Sequence, residues 1–256
     1  MYRPIEIVGD RHLETLGNCG GYYECPKDSQ GNRLGPLVGY AGTYECLGGK
    51  PLQFVGDVYA NFAKAEPHAN VLKYFANCLS MRLDAQIGLR DVDVFCGAPI
   101  GGYSLTDALG LANNIDMIKM EKKVTALKTA TSREQSELVF SRHDVERGAR
   151  CVIVEDVCNN LSTMGKAIQL IHSRGGIVVA ILCFLNRSPT VDDVYHFLVS
   201  TSSAEEAIDI PVISLVRKVI DEWKQNDSAV SLDVAKGNVT WKPKDEWNRL
   251  MQAMHA

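Results

Sequence analysis

The sequence predicts an α/β fold in which a central, mainly parallel sheet is flanked by helices and preceded by a β-rich N-terminal segment. Three observations carry this. Cys151-Val-Ile-Val-Glu155-Asp156 is an apolar run closed by two acids, Ser162 to Ser173 has helical spacing, and Ile177 to Leu185 is apolar again after Gly175-Gly176. Strand, helix and strand within about 35 residues form a βαβ crossover, whose two strands must run parallel. Asp93 to Gly97 is a short apolar strand that ends in the turn Gly97-Ala98-Pro99-Ile100-Gly101-Gly102 and leads into a helical pattern over Leu105 to Ala112. The first third instead alternates short apolar runs with turn residues, the rhythm of antiparallel strands.

In chain order, Gly20 to Tyr23 and Leu37 to Tyr44 read as strands around the turn-forming stretch Lys27 to Asn32, with two shorter apolar runs near Phe54 and Tyr59. Val71, Leu72, Phe75, Leu79 and Leu83 recur at helical spacing between Pro67 and Leu83. Ile115 to Met120 is a strand, and Thr125 to Glu137 is polar and weakly patterned, as a mobile loop would be. After the crossover, Val212 to Val216 is a further strand, and a polar tail beyond Asp221 carries Trp223, Trp241 and Trp247. The expected division is 1–66 as the β-rich part, 67–220 as the core and 221–256 as an extension packed on that core.

Composition narrows the function. With 256 residues, 46% hydrophobic content and a net charge of -4, the chain can build a core without disulfides or a structural metal. A dedicated nucleic-acid binder would carry a surplus of Lys and Arg, so no nucleic-acid partner is expected. The N-terminal stretch has charges at Glu6, Asp10, Arg11 and Glu14 where a secretory signal would be apolar. The longest apolar run, Ile177 to Leu185, is far short of the ~20 residues that span a bilayer, so a cytoplasmic location and no membrane partner are expected. The eight cysteines include no C-x-x-C pair, and Cys96, Cys151 and Cys183 sit in or beside apolar runs as buried thiols would.

In open parallel sheets ligands bind beyond the carboxyl ends of the strands. The turns at 97–102, 119–123, 155–163 and 186–188 all fall there, offering a glycine-rich loop, a lysine cluster, an acidic pair with a hydroxyl-bearing turn, and an arginine. Glu155 and Asp156 can accept sugar hydroxyls or hold a divalent cation, or simply favour the positive end of the next helix. The segment from Val157 to Thr163 can cradle a phosphate with backbone N–H groups, and its Asn and Ser residues are also ordinary helix caps.

Val152 to Thr163 resembles the phosphoribosyl-pyrophosphate motif of type I phosphoribosyltransferases: an apolar strand, two acids, then a turn that opens a helix. The resemblance implies that family's fold, a five-stranded central sheet with an N-terminal hood. It assigns Glu155 and Asp156 to the ribose, and Asn159, Asn160, Leu161, Ser162 and Thr163 to the 5′-phosphate. Leu161 stands where the family has glycine, which costs energy if the backbone there must take a positive φ. Phe95 to Gly102 is similar to the family's pyrophosphate loop and implicates Gly97, Ala98 and Gly101. Lys119-Met120-Glu121-Lys122-Lys123 resembles the Arg-Lys-Glu-x-Lys stretch of the orotate branch and implicates Lys119, Lys122 and Lys123 in holding pyrophosphate. Leu47 to Val55 resembles that branch's N-terminal signature, with Lys50 and Phe54 at the base, and Asn186-Arg187 stands where it has Asp-Arg. A guanidinium suits a planar carboxylate, so Arg187 is expected on orotate unless it pairs with Asp192 or Asp193.

The implied reaction transfers a phosphoribosyl group from phosphoribosyl pyrophosphate to orotate. Asp156, Glu155, Lys123 and Lys128 are the catalytic candidates, Lys128 lying in the stretch where the family has its catalytic loop. Mg²⁺ is the implied cofactor, held at Glu155 and Asp156 through ligand or water. A homodimer is the implied assembly. The family's Lys-x-His-Gly cluster is missing, so a phosphoribosyltransferase for another base, or a non-catalytic sensor of a nucleotide or phosphoribosyl pyrophosphate, stands as the alternative.

Overall fold

The computed structural model describes residues 4–45, 49, 51–126, 135–200 and 205–254. From the N-terminus come α1 (His12–Asn18), β1 (Tyr22–Glu24), β2 (Leu37–Glu45), β3 (Pro51–Gly56) and β4 (Val58–Ala60). They are followed by α2 (Ala69–Gln86), β5 (Val94–Gly97), α3 (Gly102–Asn113), β6 (Asp116–Lys119), β7 (Glu121–Ala126) and β8 (Gln135–Val139). Then come β9 (Arg150–Cys158), α4 (Ser162–Ser173), β10 (Ile177–Asn186), β11 (Val194–Ser200) and β12 (Glu205–Arg217), and last α5 (Ser231–Ala235), β13 (Val239–Thr240) and α6 (Trp247–Met254). The chain divides into two compact units, 1–7 with 66–219 and 8–65 with 220–256.

The first unit holds a six-stranded sheet in the order β11-β12-β10-β9-β5-β6, parallel throughout except for the β11–β12 pair. Val152, Ile153 and Val154 of β9 and Ile181 to Leu185 of β10 are fully buried, as strands covered on both faces must be. One face of α4 buries Met164, Ala167, Ile168 and Ile171 at helical spacing, each such large apolar side chain contributing roughly 1.5–3 kcal/mol. The α2 face buries Val71, Phe75, Leu79 and Leu83, and Phe75 meets Phe184 with ring centroids 4.6 Å apart.

Five parallel strands match the expectation, and β11 adds an antiparallel sixth. The sequence showed only the buried half of its partner, Val212 to Val216. The half from Glu205 to Asp209 carries three acids and pairs with β11 in an exposed ribbon, so it lacks an apolar run. Gln169 of α4 ties that ribbon down: its Nε2 donates to the Ser200 carbonyl at 2.8 Å and its Oε1 accepts from the Ser200 amide at 3.1 Å. Of the stretch expected as a loop over 125–137, residues 127–134 lie outside the described residues. β7 and β8 form an antiparallel arm, whose Leu138 is buried together with the following Phe140.

In the second unit β1 pairs with β4, and β13-β2-β3 form a small sheet in which Val239 lies opposite Leu37. Leu37, Val55, Val230 and Val239 share one buried cluster, so the C-terminal segment completes the β-rich unit rather than forming an extension of the core. The short α1 had no recognised sequence signal. No helix among the described residues is long and apolar enough to cross a membrane.

Candidate functional site

Parallel register sets the site. Gly97 of β5 lies opposite Lys119 of β6 and Val154 of β9, and Cys158 of β9 lies opposite Asn186 of β10. One sheet edge therefore carries the glycine turn, Lys119, the 155–163 segment and Arg187. Glu155 and Asp156 stand just beyond the level of Gly97.

Alternation along β9 starts the two side chains toward opposite faces, yet their carboxyl groups stay within hydrogen-bonding reach of one another. Glu155 is buried and lines a cavity of about 100 Å³ together with Val157, Cys158 and the 159–164 turn. Asp156 faces the glycine loop so closely that a Cβ on Gly101 would fall 2.3 Å from its Oδ1, which only glycine avoids. The Asp156 amide donates to Glu155 Oε1 at 3.1 Å, and the Val157 amide donates to Asp156 Oδ1 at 2.8 Å. Burial, and then the hydrogen bond and charge of Asp156, push the Glu155 carboxyl up to about 10. Glu66 is also raised, by burial and by Asp156. The two carboxyl groups thus interact with one another where the glycine loop and the phosphate turn come together.

The turn into α4 keeps the shape a glycine would give it. Leu161 takes φ 53° and ψ 14°, the left-handed region. That conformation costs an L-residue about 1–2 kcal/mol. Its side chain lies in the same buried cluster as Met164 and Ile168 and is 2% exposed, which offsets the cost. The Ser162 amide donates to Asn160 Oδ1 at 3.1 Å, and Gly165 closes the first helical turn onto the Leu161 carbonyl at 3.0 Å. Asn159, Asn160 and Ser162 are exposed around the cavity.

The glycine loop is fixed from both sides. The Ala98 amide donates to the Val154 carbonyl at 2.9 Å, and Thr106 Oγ1 donates to the Gly102 carbonyl at 2.6 Å. A Cβ on Gly102 would meet the Val154 carbonyl oxygen at 2.2 Å, so α3 starts directly on β9. The expected lysine cluster is dispersed. Lys119 ends β6, but its Nζ lies 2.6 Å from Asp107 Oδ2 and 5.4 Å from the centroid of the Tyr103 ring. Tyr103 in turn donates its hydroxyl to the Met120 carbonyl. Lys122 and Lys123 lie on the β7 arm, where Lys123 makes an exposed pair with Glu137 at 3.8 Å. Lys128 lies outside the described residues.

Arg187 follows β10, and its amide donates to the Cys158 carbonyl at 2.9 Å, beside the phosphate turn. Buried Asn186 shapes this loop: its Nδ2 donates to the carbonyls of Val191 at 3.1 Å and Asp192 at 2.7 Å, and its Oδ1 accepts from the Ser188 amide at 3.0 Å. Asp192 pairs with Arg217 at 2.5 Å. Phe54 belongs to the other unit, where its ring lies 4.9 Å from that of Tyr44, and Lys50 lies outside the described residues. Asp107 was missed in the sequence. The only signal for Asp107 was a lone carboxylate on a helix otherwise free of acids.

Among the described residues no three His, Cys, Asp or Glu side chains converge as a metal cage. The oxygen donors of Glu155 and Asp156 nevertheless suit Mg²⁺, which is held through one or two carboxylates plus substrate phosphates.

No protein-family model matches the chain. It is 25% identical over 134 residues to the transcriptional regulator GfcR of Methanocella arvoryzae, covering 51% of this chain and 65% of that protein's length. It is 26% identical over 148 residues to the orotate phosphoribosyltransferase of Brucella canis, covering 58% of this chain and 71% of that one. Among solved structures it is similar to the orotate phosphoribosyltransferase of Aeropyrum pernix, with 16% identity and a TM-score of 0.49 over 80% of this chain and 92% of that chain. It is also similar to the adenine phosphoribosyltransferase of Saccharomyces cerevisiae, with 11% identity and a TM-score of 0.48 over 68% of this chain and 93% of that chain. The chain resembles type I phosphoribosyltransferases, and its core is an α/β layer structure with a central, mostly parallel sheet.

Proposed function

We propose that the chain transfers a 5-phosphoribosyl group from phosphoribosyl pyrophosphate to orotate, giving orotidine 5′-monophosphate and pyrophosphate. The observation that supports it most is the placement of the acidic pair, with Glu155 on the phosphate-turn cavity and Asp156 against Gly101. A ribose gripped there would have its 5′-phosphate toward the 158–164 turn and its anomeric substituent toward the glycine loop. Substitution at the anomeric carbon needs no covalent nucleophile, so positioning and electrostatics do the work. Exposed backbone N–H groups at the start of α4 hold the 5′-phosphate, and Gly97, Ala98 and Gly101 admit the pyrophosphate to the loop backbone. Mg²⁺, held by Glu155 and Asp156 with the substrate oxygens, would neutralise charge on the departing pyrophosphate. Arg187 presents two parallel donors to the orotate carboxylate. The reading includes a cytoplasmic homodimer, which sedimentation of the purified chain tests.

A steady-state assay with phosphoribosyl pyrophosphate, Mg²⁺ and each nucleobase in turn decides the reaction, and turnover with orotate is expected. Asp156→Asn should weaken use of phosphoribosyl pyrophosphate, whereas Arg187→Ala should raise the KM for orotate about tenfold or more. Unchanged orotate kinetics in Arg187→Ala rule out the base assignment.

A second reading is a non-catalytic regulator of the same fold that binds phosphoribosyl pyrophosphate or a nucleotide. Leucine in the phosphate turn and the similarity to a transcriptional regulator favour it. Ligand binding without turnover on any base would select it.

A further inference from the structure

Three basic side chains between residues 119 and 142 are paired with acids of this chain. Lys123 lies 3.8 Å from Glu137 and Arg142 lies 3.7 Å from Glu121, both loose and exposed pairs. Lys119 is different. Strand register places it directly opposite Gly97, about 5 Å away across the ladder, at the mouth of the glycine turn. Its ammonium is nevertheless drawn over the Tyr103 ring to Asp107, at 2.6 Å and only partly exposed. Tyr103 and Asp107 are one helical turn apart on α3, so the ring and the carboxylate form one cradle for the lysine stem and head.

We propose that Asp107 is a positioning residue that engages the Lys119 ammonium beside the glycine loop and so limits the affinity of this site for pyrophosphate. This rests on the reading of the loop as the pyrophosphate subsite. An anion entering the loop must either draw Lys119 off Asp107 or bind without it. Neutralising Asp107 removes the competitor for Lys119. A partly exposed pair of this kind is worth enough to change affinity about two- to fivefold.

The test titrates inorganic pyrophosphate with Mg²⁺ into the wild-type chain, Asp107→Asn, Lys119→Met and the double variant by calorimetry. Asp107→Asn should bind about two- to fivefold tighter than wild type, and the gain should vanish in the Lys119→Met background. Asp107→Ala, which removes the carboxylate without leaving an amide donor, should show the same gain. In turnover, the gain should appear as a lower KM for phosphoribosyl pyrophosphate with kcat unchanged or reduced. Equal or weaker binding by both Asp107 variants, a gain that persists without Lys119, or no pyrophosphate binding by any of the four proteins overturns the proposal. Absence of turnover in the wild-type chain counts against the proposed reaction alone, because the pyrophosphate titration reads the Asp107 effect without it.

Discussion

Leu161 shows how one side chain can stabilise a turn that its own backbone disfavours. Its left-handed conformation favours glycine, and its buried position favours leucine. The two terms separate on substitution. Leu161→Ala keeps the positive-φ cost and empties the pocket, and should destabilise by about 2–5 kcal/mol. Leu161→Gly loses the same burial but recovers about 1–2 kcal/mol of backbone cost, less about 0.5–1 kcal/mol for glycine's extra freedom when unfolded. Glycine should therefore be less harmful than alanine by about 0.5–1 kcal/mol, the reverse of their usual order. Urea denaturation of the two variants checks it, and alanine proving the more stable would show that the turn relaxes out of the left-handed region.

At the scale of elements, the edge strands depend on ties that apolar periodicity does not report. Arg150, at the start of β9, donates from its amide and side chain to Asp93 at 2.8–3.0 Å and to Asp91 at 2.7 Å, fixing β9 beside β5. The Arg150 hydrogen bonds hold the Asp93 carboxyl down to about 2, below the ordinary value near 4. A depressed carboxyl stabilises above its unfolded-state pKa and ceases to do so as pH falls through its folded value. Asp93→Asn should thus lower the Tm at neutral pH, and the gap from wild type should close between about pH 4 and 2. A gap that stays constant down to pH 2 would exclude the ionised pair as its cause. The same contrast explains what the sequence revealed. The 151–186 crossover was legible because its strands are buried on both faces and its acids close an apolar run. The β7–β8 arm was not, since Glu121, Lys122, Lys123 and Glu137 face solvent or one another and leave no alternation to read. The Asp107–Lys119 pair was hidden for a related reason: it joins a helix face to a strand end, a relation that neither element's own pattern encodes.

For the whole molecule, the least legible fact was that residues 220–256 belong with 8–65. The pairing of β13 with β2 joins positions about 200 residues apart, and two-residue β13 carries almost no strand signal of its own. Arg33 is the polar centre of that union. Its Nη1 donates to the Ala229 carbonyl at 2.7 Å and meets Asp233 at 3.3 Å, and its guanidinium lies 5.3 Å from the centroid of the Trp223 ring. Only 14% of the Arg33 side chain is exposed, so its charge is screened little and its partners have few substitutes. Asp57, buried nearby, keeps Lys27 at 2.8 Å if Arg33 is removed, which limits the damage on that side. Arg33→Ala should therefore cost about 2–4 kcal/mol, through loss of the bond to the Ala229 carbonyl, the packing on Trp223 and the pairing with Asp233, which among the described residues keeps only Asn238 at 3.1 Å. Because Leu37 and Val55 share their core with Val230 and Val239, the loss should be read in both segments at once. Hydrogen exchange should accelerate together in 37–45, 51–60 and 223–240, as one cooperative unit opening. Acceleration confined to the C-terminal segment would mean that the β-rich unit holds its core without it.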